Sequence, residues 1–534
     1  MVTSSFLLVS LNMDAILGGV TIHQRRQRLD RVVEGESQGN AYAVTLSRVG
    51  AQQGSRSKLG MDVLMWVSHA ERPLHVDELR HALGVEEGSL DLNVQNIPSI
   101  ETLLTYSLGL VTVEKSSSTV RLIHYTLQEY LSRNSDLFIK PHSRIAEVCL
   151  TYLNFRHVRG FSPTLRSIPP TIPFVEYASC YWSTHAGLGT TEGVKRLALE
   201  LLDGYDRHIS SKILLLHRMD SWDRPFDQED SPRGFSGVHA AAYLGCPEIT
   251  GALLEMDGWD LCAADFGGNT PITWAASRGH VEVVRMLLEQ SDVNPNTANK
   301  CGQTPLLWSA RNGHEEVVRI LLERNDVDPN TTDTQYGRTP LSLAAESGHA
   351  RVVRILLKRD DVDPNIADTQ YDRTPLSWAA ESGHARVVRM LLKRDDVDPN
   401  IAGTQHGRTP LSWAAGNGHA KVVRMLLKRD GVDPNLAGAQ YSRTPLSWAA
   451  ENGHEGVVRM LLKRDDVDSS IAGDQPGRTP LYWATRNGYE RIAGFLRERA
   501  GLVPGYAHSL LSSELPFSGP SGPSAPHPKR RRRV

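Results

Sequence analysis

Histidine follows glycine six times in the second half of this chain, at His280, His314, His349, His384, His419 and His454. Imidazoles bind metals and move protons, so such a set invites a metal-site or catalytic reading. The spacing argues against both. Each histidine belongs to its own copy of a repeated unit, and packed helices lie about 10 Å apart, too far for the rings to share an ion. Hydrogen bonding to loop backbone is the expected role.

Other motifs meet the same objection. Asp265-Phe266-Gly267 spells a kinase tripeptide, but no His-Arg-Asp catalytic loop accompanies it. Asn330-Thr331-Thr332 is a glycosylation sequon that a cytosolic chain would not use. The Asp-Asp-Val-Asp loops lack the glycine turn and terminal glutamate of a calcium loop. They are expected to be solvated acids facing the basic helix of their own unit. Lys115-Ser116 has no glycine loop before it to cradle phosphates, so no nucleotide is expected to bind. The five cysteines are scattered, odd in number and without metal spacing, and read as free thiols in a reducing compartment. No catalytic residue, cofactor or metal is assigned, and an enzyme is not expected.

The elements that hold these residues repeat. Thr-Pro recurs at Thr270, Thr304, Thr339, Thr374, Thr409, Thr444 and Thr479, with steps of 34 and then 35 residues, and a weaker copy opens the series at Ser236. A fixed period of this size means stacked supersecondary units. In the copy at Thr339, threonine is an N-cap and Pro340 takes the first helical position. Leu341, Leu343, Ala344 and Ala345 make a short helix that Gly348 ends in a left-handed conformation. A second helix from Ala350 sets Val352, Val353, Leu356 and Leu357 on one face and Arg351, Arg354 and Lys358 on the other. The last copy carries Arg486, Arg491, Arg497, Glu498 and Arg499 and reads as a cap.

Gly337, Thr339, Pro340, Leu341, Ala344, Ala345, Gly348, His349, Val352, Val353, Leu356 and Leu357 resemble the ankyrin repeat. The signature histidine after the leucine is replaced by Ser342, Ser377, Ser412 and Ser447, and the loop is about two residues longer than usual. Both departures are expected to change the presented surface. The Trp row at 274, 308, 378, 413, 448 and 483 occupies a position that ankyrins fill with a core leucine, and is expected to pack inside.

Upstream, FLLVSLNMDAIL is similar to the end of a NACHT nucleotide-binding module, so the chain would begin just after a nucleotide site. Residues 20 to 60 read as a solvated helix and linker. From Met61, three helices and a hairpin around Ser116 suggest a winged helix. LMWVSHAERPLHVDELRHAL and VRLIHYTLQEYL resemble the module named after GPI inositol-deacylase that follows NACHT in NACHT–ankyrin proteins. Its third helix carries Glu101 and no cation, so DNA reading is not expected. Residues 136 to 232 read as a helical bridge with Trp182 and Tyr181 in its core.

The expected fold is therefore mainly α. An N-terminal stub occupies 1–60, a winged helix 61–135, the bridge 136–232, about eight ankyrin repeats 233–502, and a disordered basic tail 503–534. A net charge of -2 supplies no global field for nucleic acid, and no apolar run is long enough for a bilayer. What remains is a concave surface of loop tips and first-helix ends, where an unidentified protein partner would dock. Its candidate contacts are Arg278, Arg311, Tyr336, Glu346, Tyr371, Glu381, His406, Tyr441, Glu451 and Arg486. This implies a scaffold, the recognition arm of a NACHT–ankyrin type receptor without its ATPase, located in the cytoplasm. The alternative is a nuclear co-regulator imported through Lys529, Arg530, Arg531, Arg532 and Arg533. A third reading places an undetected enzyme site within 61–230.

Overall fold

The computed structural model describes residues 21–24, 26, 38–165, 167–218, 232–256, 258–404, 407–438, 442–473 and 477–501. The chain divides into two compact units between Gln335 and Tyr336.

In the first unit, helix α1 (Gln38–Gly50) buries Tyr42, Leu46 and Val49 at helical spacing. The Tyr42 hydroxyl meets Thr126 Oγ1 at 2.8 Å. The linker expected over 20 to 60 is thus replaced, from Gln38 onward, by a packed amphipathic helix. Its single apolar stripe is diluted by polar neighbours in the sequence. Helix α2 (Ser55–His69) runs through the boundary drawn at 61. Strand β1 (Leu74–His75), α3 (Val76–Leu83), α4 (Ile100–Tyr106), β2 (Val111–Glu114), β3 (Thr119–Leu122) and α5 (Tyr125–Arg133) complete a winged helix. Its antiparallel sheet has the order β1-β3-β2, with Leu74 and Val113 both opposite Val120.

The bridge is built chiefly on α6 (Pro141–Asn154), α7 (Val175–Leu188), α8 (Glu192–Leu202) and α9 (Ile209–Arg218), with a single helical turn over Arg156–Arg159. Trp182, Tyr177, Phe174 and Tyr152 are fully buried among them, and the Trp66 ring of α2 meets Phe174 edge-on at 5.6 Å. Tyr181 is only half-buried. Three repeats follow within the same unit, as the pairs α10 (Gly237–Leu244) and α11 (Pro247–Leu254), α12 (Pro271–Arg278) and α13 (Val281–Leu288), and α14 (Pro305–Asn312) and α15 (Glu315–Leu322). The first copy has Ser236 at the threonine position and Gly237 in place of the proline, the latter for a steric reason. A Cβ at Gly237 would stand 2.3 Å from the Leu202 carbonyl oxygen, so only glycine admits the bridge there.

The second unit holds five repeats: α16 (Pro340–Ser347) and α17 (Ala350–Leu356), α18 (Pro375–Glu381) and α19 (Ala385–Leu391), α20 (Pro410–Gly416) and α21 (Ala420–Leu426), α22 (Pro445–Glu451) and α23 (Glu455–Leu462), α24 (Pro480–Arg486) and α25 (Glu490–Arg499). First helices pack on first helices and second on second. Each threonine caps its helix as expected; Thr339 Oγ1, for example, accepts from Ser342 N at 3.1 Å. Val352, Val353 and Leu356 are buried, whereas Leu357 is the C-cap and half-exposed.

Candidate protein-binding face

The serines at the signature histidine position are not on the presented surface. Ser342, Ser377, Ser412 and Ser447 are buried, each hydroxyl bonded to the threonine cap of its own helix at 3.1 to 3.3 Å. The first copy retains the histidine. There, His239 Nδ1 meets Ser236 Oγ at 2.8 Å, and Nε2 donates to the Ala263 carbonyl at 3.1 Å.

The Gly-His pairs work across the seam between repeats. His384 Nε2 donates to the Glu346 carbonyl at 3.0 Å, His419 to Glu381 at 2.9 Å and His454 to Gly416 at 2.9 Å. In the first unit, His280 donates to Tyr243 and His314 to Ser277, both at 2.9 Å. Each ring closes an orphan carbonyl at the end of the preceding first helix. The expected backbone bond is present, but it reaches into the neighbouring copy.

The loops carry a second ladder. Asn365 Nδ2 donates to the Asp396 carbonyl at 2.6 Å, and Asn365 Oδ1 accepts from Asp398 N at 2.9 Å. Asn400 and Asn435 repeat both bonds one and two copies on. The acids between them are engaged locally. Arg359 pairs with Asp361 at 2.6 Å and Arg394 with Asp396 at 2.5 Å, while Asp363 turns back to Asn365 N at 2.8 Å. These arginines hold Asp361 and Asp396 below the usual carboxylate range. Asp265, of the kinase-like tripeptide, is likewise structural. It is buried and accepts from Gly267 N, Asn269 N and Trp274 Nε1 at 2.8 to 2.9 Å.

Trp378, Trp413, Trp448 and Trp483 are buried as expected, but between cations. The Arg373 guanidinium lies 4.6 Å from the Trp378 ring centre and 4.0 Å from that of Trp413. Arg408 lies 4.4 Å from Trp413 and 3.3 Å from Trp448, and Arg443 lies 4.8 Å from Trp448 and 4.0 Å from Trp483. Arg338 starts the column 4.3 Å over Trp378. Cations and indoles therefore alternate through the second unit, an arrangement favoured by the ring quadrupole and strengthened by burial. Three glutamates complete it: Arg338–Glu346 at 2.8 Å, Arg373–Glu381 at 2.6 Å and Arg443–Glu451 at 2.7 Å. Burial outweighs the attraction within the Arg373–Glu381 pair, lowering the pKa of Arg373 and raising that of Glu381.

The candidate contacts fall into three groups. Glu346, Glu381 and Glu451 are held in these ion pairs. Tyr336 and Tyr371 are half-buried beneath Arg338 and Arg373, at 5.0 and 4.9 Å. Arg278 and Arg311, in the first unit, stack on Tyr243 and Trp308 at 5.1 and 5.7 Å, and Arg486 is exposed beside Trp483 at 5.5 Å. His406, Tyr441 and Lys529 to Arg533 lie outside the described residues.

Residues 291–368, 361–438 and 431–503 match the family of ankyrin repeats in three copies, and residues 238–288 match a second ankyrin-repeat family. The repeats are ankyrin repeats. Residues 49–140 match the GPI inositol-deacylase winged-helix domain. No curated protein matches the chain. Ankyrin repeats are non-catalytic modules, and their presence supports a role in binding other proteins. In the winged-helix domain, α4 presents Glu101 to solvent. A cleft of about 730 Å³ between the winged helix and bridge is lined by Lys58, Asp62, Arg144, Glu147 and Arg196. Asp62 is paired with Arg144 at 2.7 Å, and Glu147 accepts from Thr191 at 2.6 Å. Among the described residues, no group of histidine, cysteine and carboxylate side chains could hold a metal ion, and no helix is long and apolar enough to cross a membrane.

Proposed function

We propose that the chain is a protein-interaction scaffold whose partner docks on the loop tips and first-helix ends of the ankyrin repeats. In this reading the winged helix is a regulatory spacer, and the chain acts as the recognition arm of a NACHT–ankyrin type receptor. The observation that carries it is the cation–indole column. It braces the first helices of the second unit against one another while leaving small side chains such as Ser347 and Ser382 exposed beside it. A surface pre-ordered in this way loses little entropy when it is covered. Capture of the partner by the full chain, compared between Ser382→Arg and Arg389→Glu, tests the reading. The first change obstructs the proposed face and abolishes capture. The second alters an exposed residue of the second helix and leaves it intact.

The chain is read as a binding protein without an activity of its own. ATP binding abolished by a substitution within 61–230 would overturn that. The nuclear reading rests on Lys529 to Arg533, and deleting residues 528–534 tests it: a tagged protein shifts to the cytoplasm if the run is an import signal.

A further inference from the structure

The column of the second unit has one irregular rung. Arg338, Arg373 and Arg443 each find a glutamate eight residues on, at Glu346, Glu381 and Glu451. Eight residues beyond Arg408 stands Gly416. The guanidinium keeps its place between Trp413 and Trp448, but among the described residues no carboxylate reaches it within ion-pair distance. Arg408 Nε is buried without a hydrogen-bond partner, as Arg338 Nε is too, so what sets Arg408 apart is the missing carboxylate at Nη1, where Glu346, Glu381 and Glu451 bind in the other rungs. Burial draws the group down to about 10, although Glu451 and Glu381 of the flanking repeats pull the other way. A desolvated cation without a counter-charge is costly, and a carboxylate supplied to it forms a charge-assisted bond.

The space for that carboxylate is present. A Cβ at Gly416 would stand 3.8 Å from Arg408 Nη1 and 3.4 Å from Trp448 Cβ, both ordinary contacts. The equivalent position in three neighbouring repeats already accommodates a glutamate. The last repeat adds to the positive field, with Arg486 where the glutamate would be and Arg478 5.7 Å over Trp483. We infer that the Arg408–Gly416 slot receives an aspartate or glutamate side chain of the protein partner, replacing the one the repeat lacks. The inference rests on the interaction-surface reading and names the chemistry of its central contact.

A random peptide library selected against the full chain tests it, with Gly416→Glu and Gly416→Ala for comparison. Gly416→Glu restores the side chain its neighbours carry and should fold, which circular dichroism checks. The expected result is a family of peptides sharing one acidic residue. Replacing that acid by its amide, or Gly416 by Glu, weakens binding about tenfold or more, and Gly416→Ala retains it. Selected peptides that bind Gly416→Glu as tightly as the natural chain overturn the slot and leave the broader face standing. A folded chain that selects no peptide at all counts against both.

Discussion

The His384 ring lies against Gly348 of the preceding repeat, so closely that a Cβ on Gly348 would stand 2.6 Å from it. Gly348 also has φ +78, where an L side chain is strained. The two demands coincide at the seam, and the same pairing recurs at Gly383 with His419 and Gly418 with His454. Gly348→Ala should therefore cost more than the roughly 1 kcal/mol of backbone strain alone, about 2 kcal/mol or more. Urea unfolding of the full chain measures it. Gly456→Ala, in the second helix with open space around its Cβ, provides the contrast and should be neutral or stabilising.

The asparagine ladder should behave as a set of inter-repeat bonds. Asn400→Ala removes one bond donated to the Gly431 carbonyl and one accepted from Asp433 N, at about 1 kcal/mol each. Because the rung sits near solvent, the expected total is about 1 to 2 kcal/mol in the same unfolding measurement. An unchanged midpoint would show that water replaces both bonds.

Much of this was legible in the sequence. The Thr-Pro caps, the left-handed glycines and the apolar stripes each follow from a local rule, and the period of 35 supplied the stack. The cation–indole column was not legible. Arg338 precedes Trp378 by 40 residues and Arg373 precedes it by five, and both spacings recur at Trp413, Trp448 and Trp483. A perfect repeat cannot distinguish a contact within a unit from one across a seam. The asparagine ladder was hidden for the same reason. Leu357 was misplaced because helix α17 ends one residue before it. Leu356→Asp, not Leu357→Asp, is the change that buries a carboxylate and should cost several kcal/mol.

The first unit should be sensitive to acid. Glu71 N donates to the Tyr177 hydroxyl, Tyr177 to His185 Nε2, and His185 Nδ1 to His142 Nδ1, the last two at 2.9 Å, a relay that uses neutral rings. Burial pushes His185 down to about 3 and His208 down to about 4, and lowers His69 and His142. In the unfolded chain these rings take protons near pH 6.5. The unfolded state thus binds more protons below that value, and stability present above it is lost as pH falls toward 4. Each fully shifted ring contributes about 2 kcal/mol of this loss by pH 5. Hydrogen exchange followed between pH 7 and 5 should show peptides of 141–188 opening first. His185→Phe should blunt the dependence.

The most direct measurement of the binding face is a hydrogen-exchange footprint of the full chain with and without its protein partner. Protection confined to the loop tips and first helices of residues 336–501, centred on 408–416, is the predicted result. Protection on the second helices, or within 55–133 alone, would contradict it.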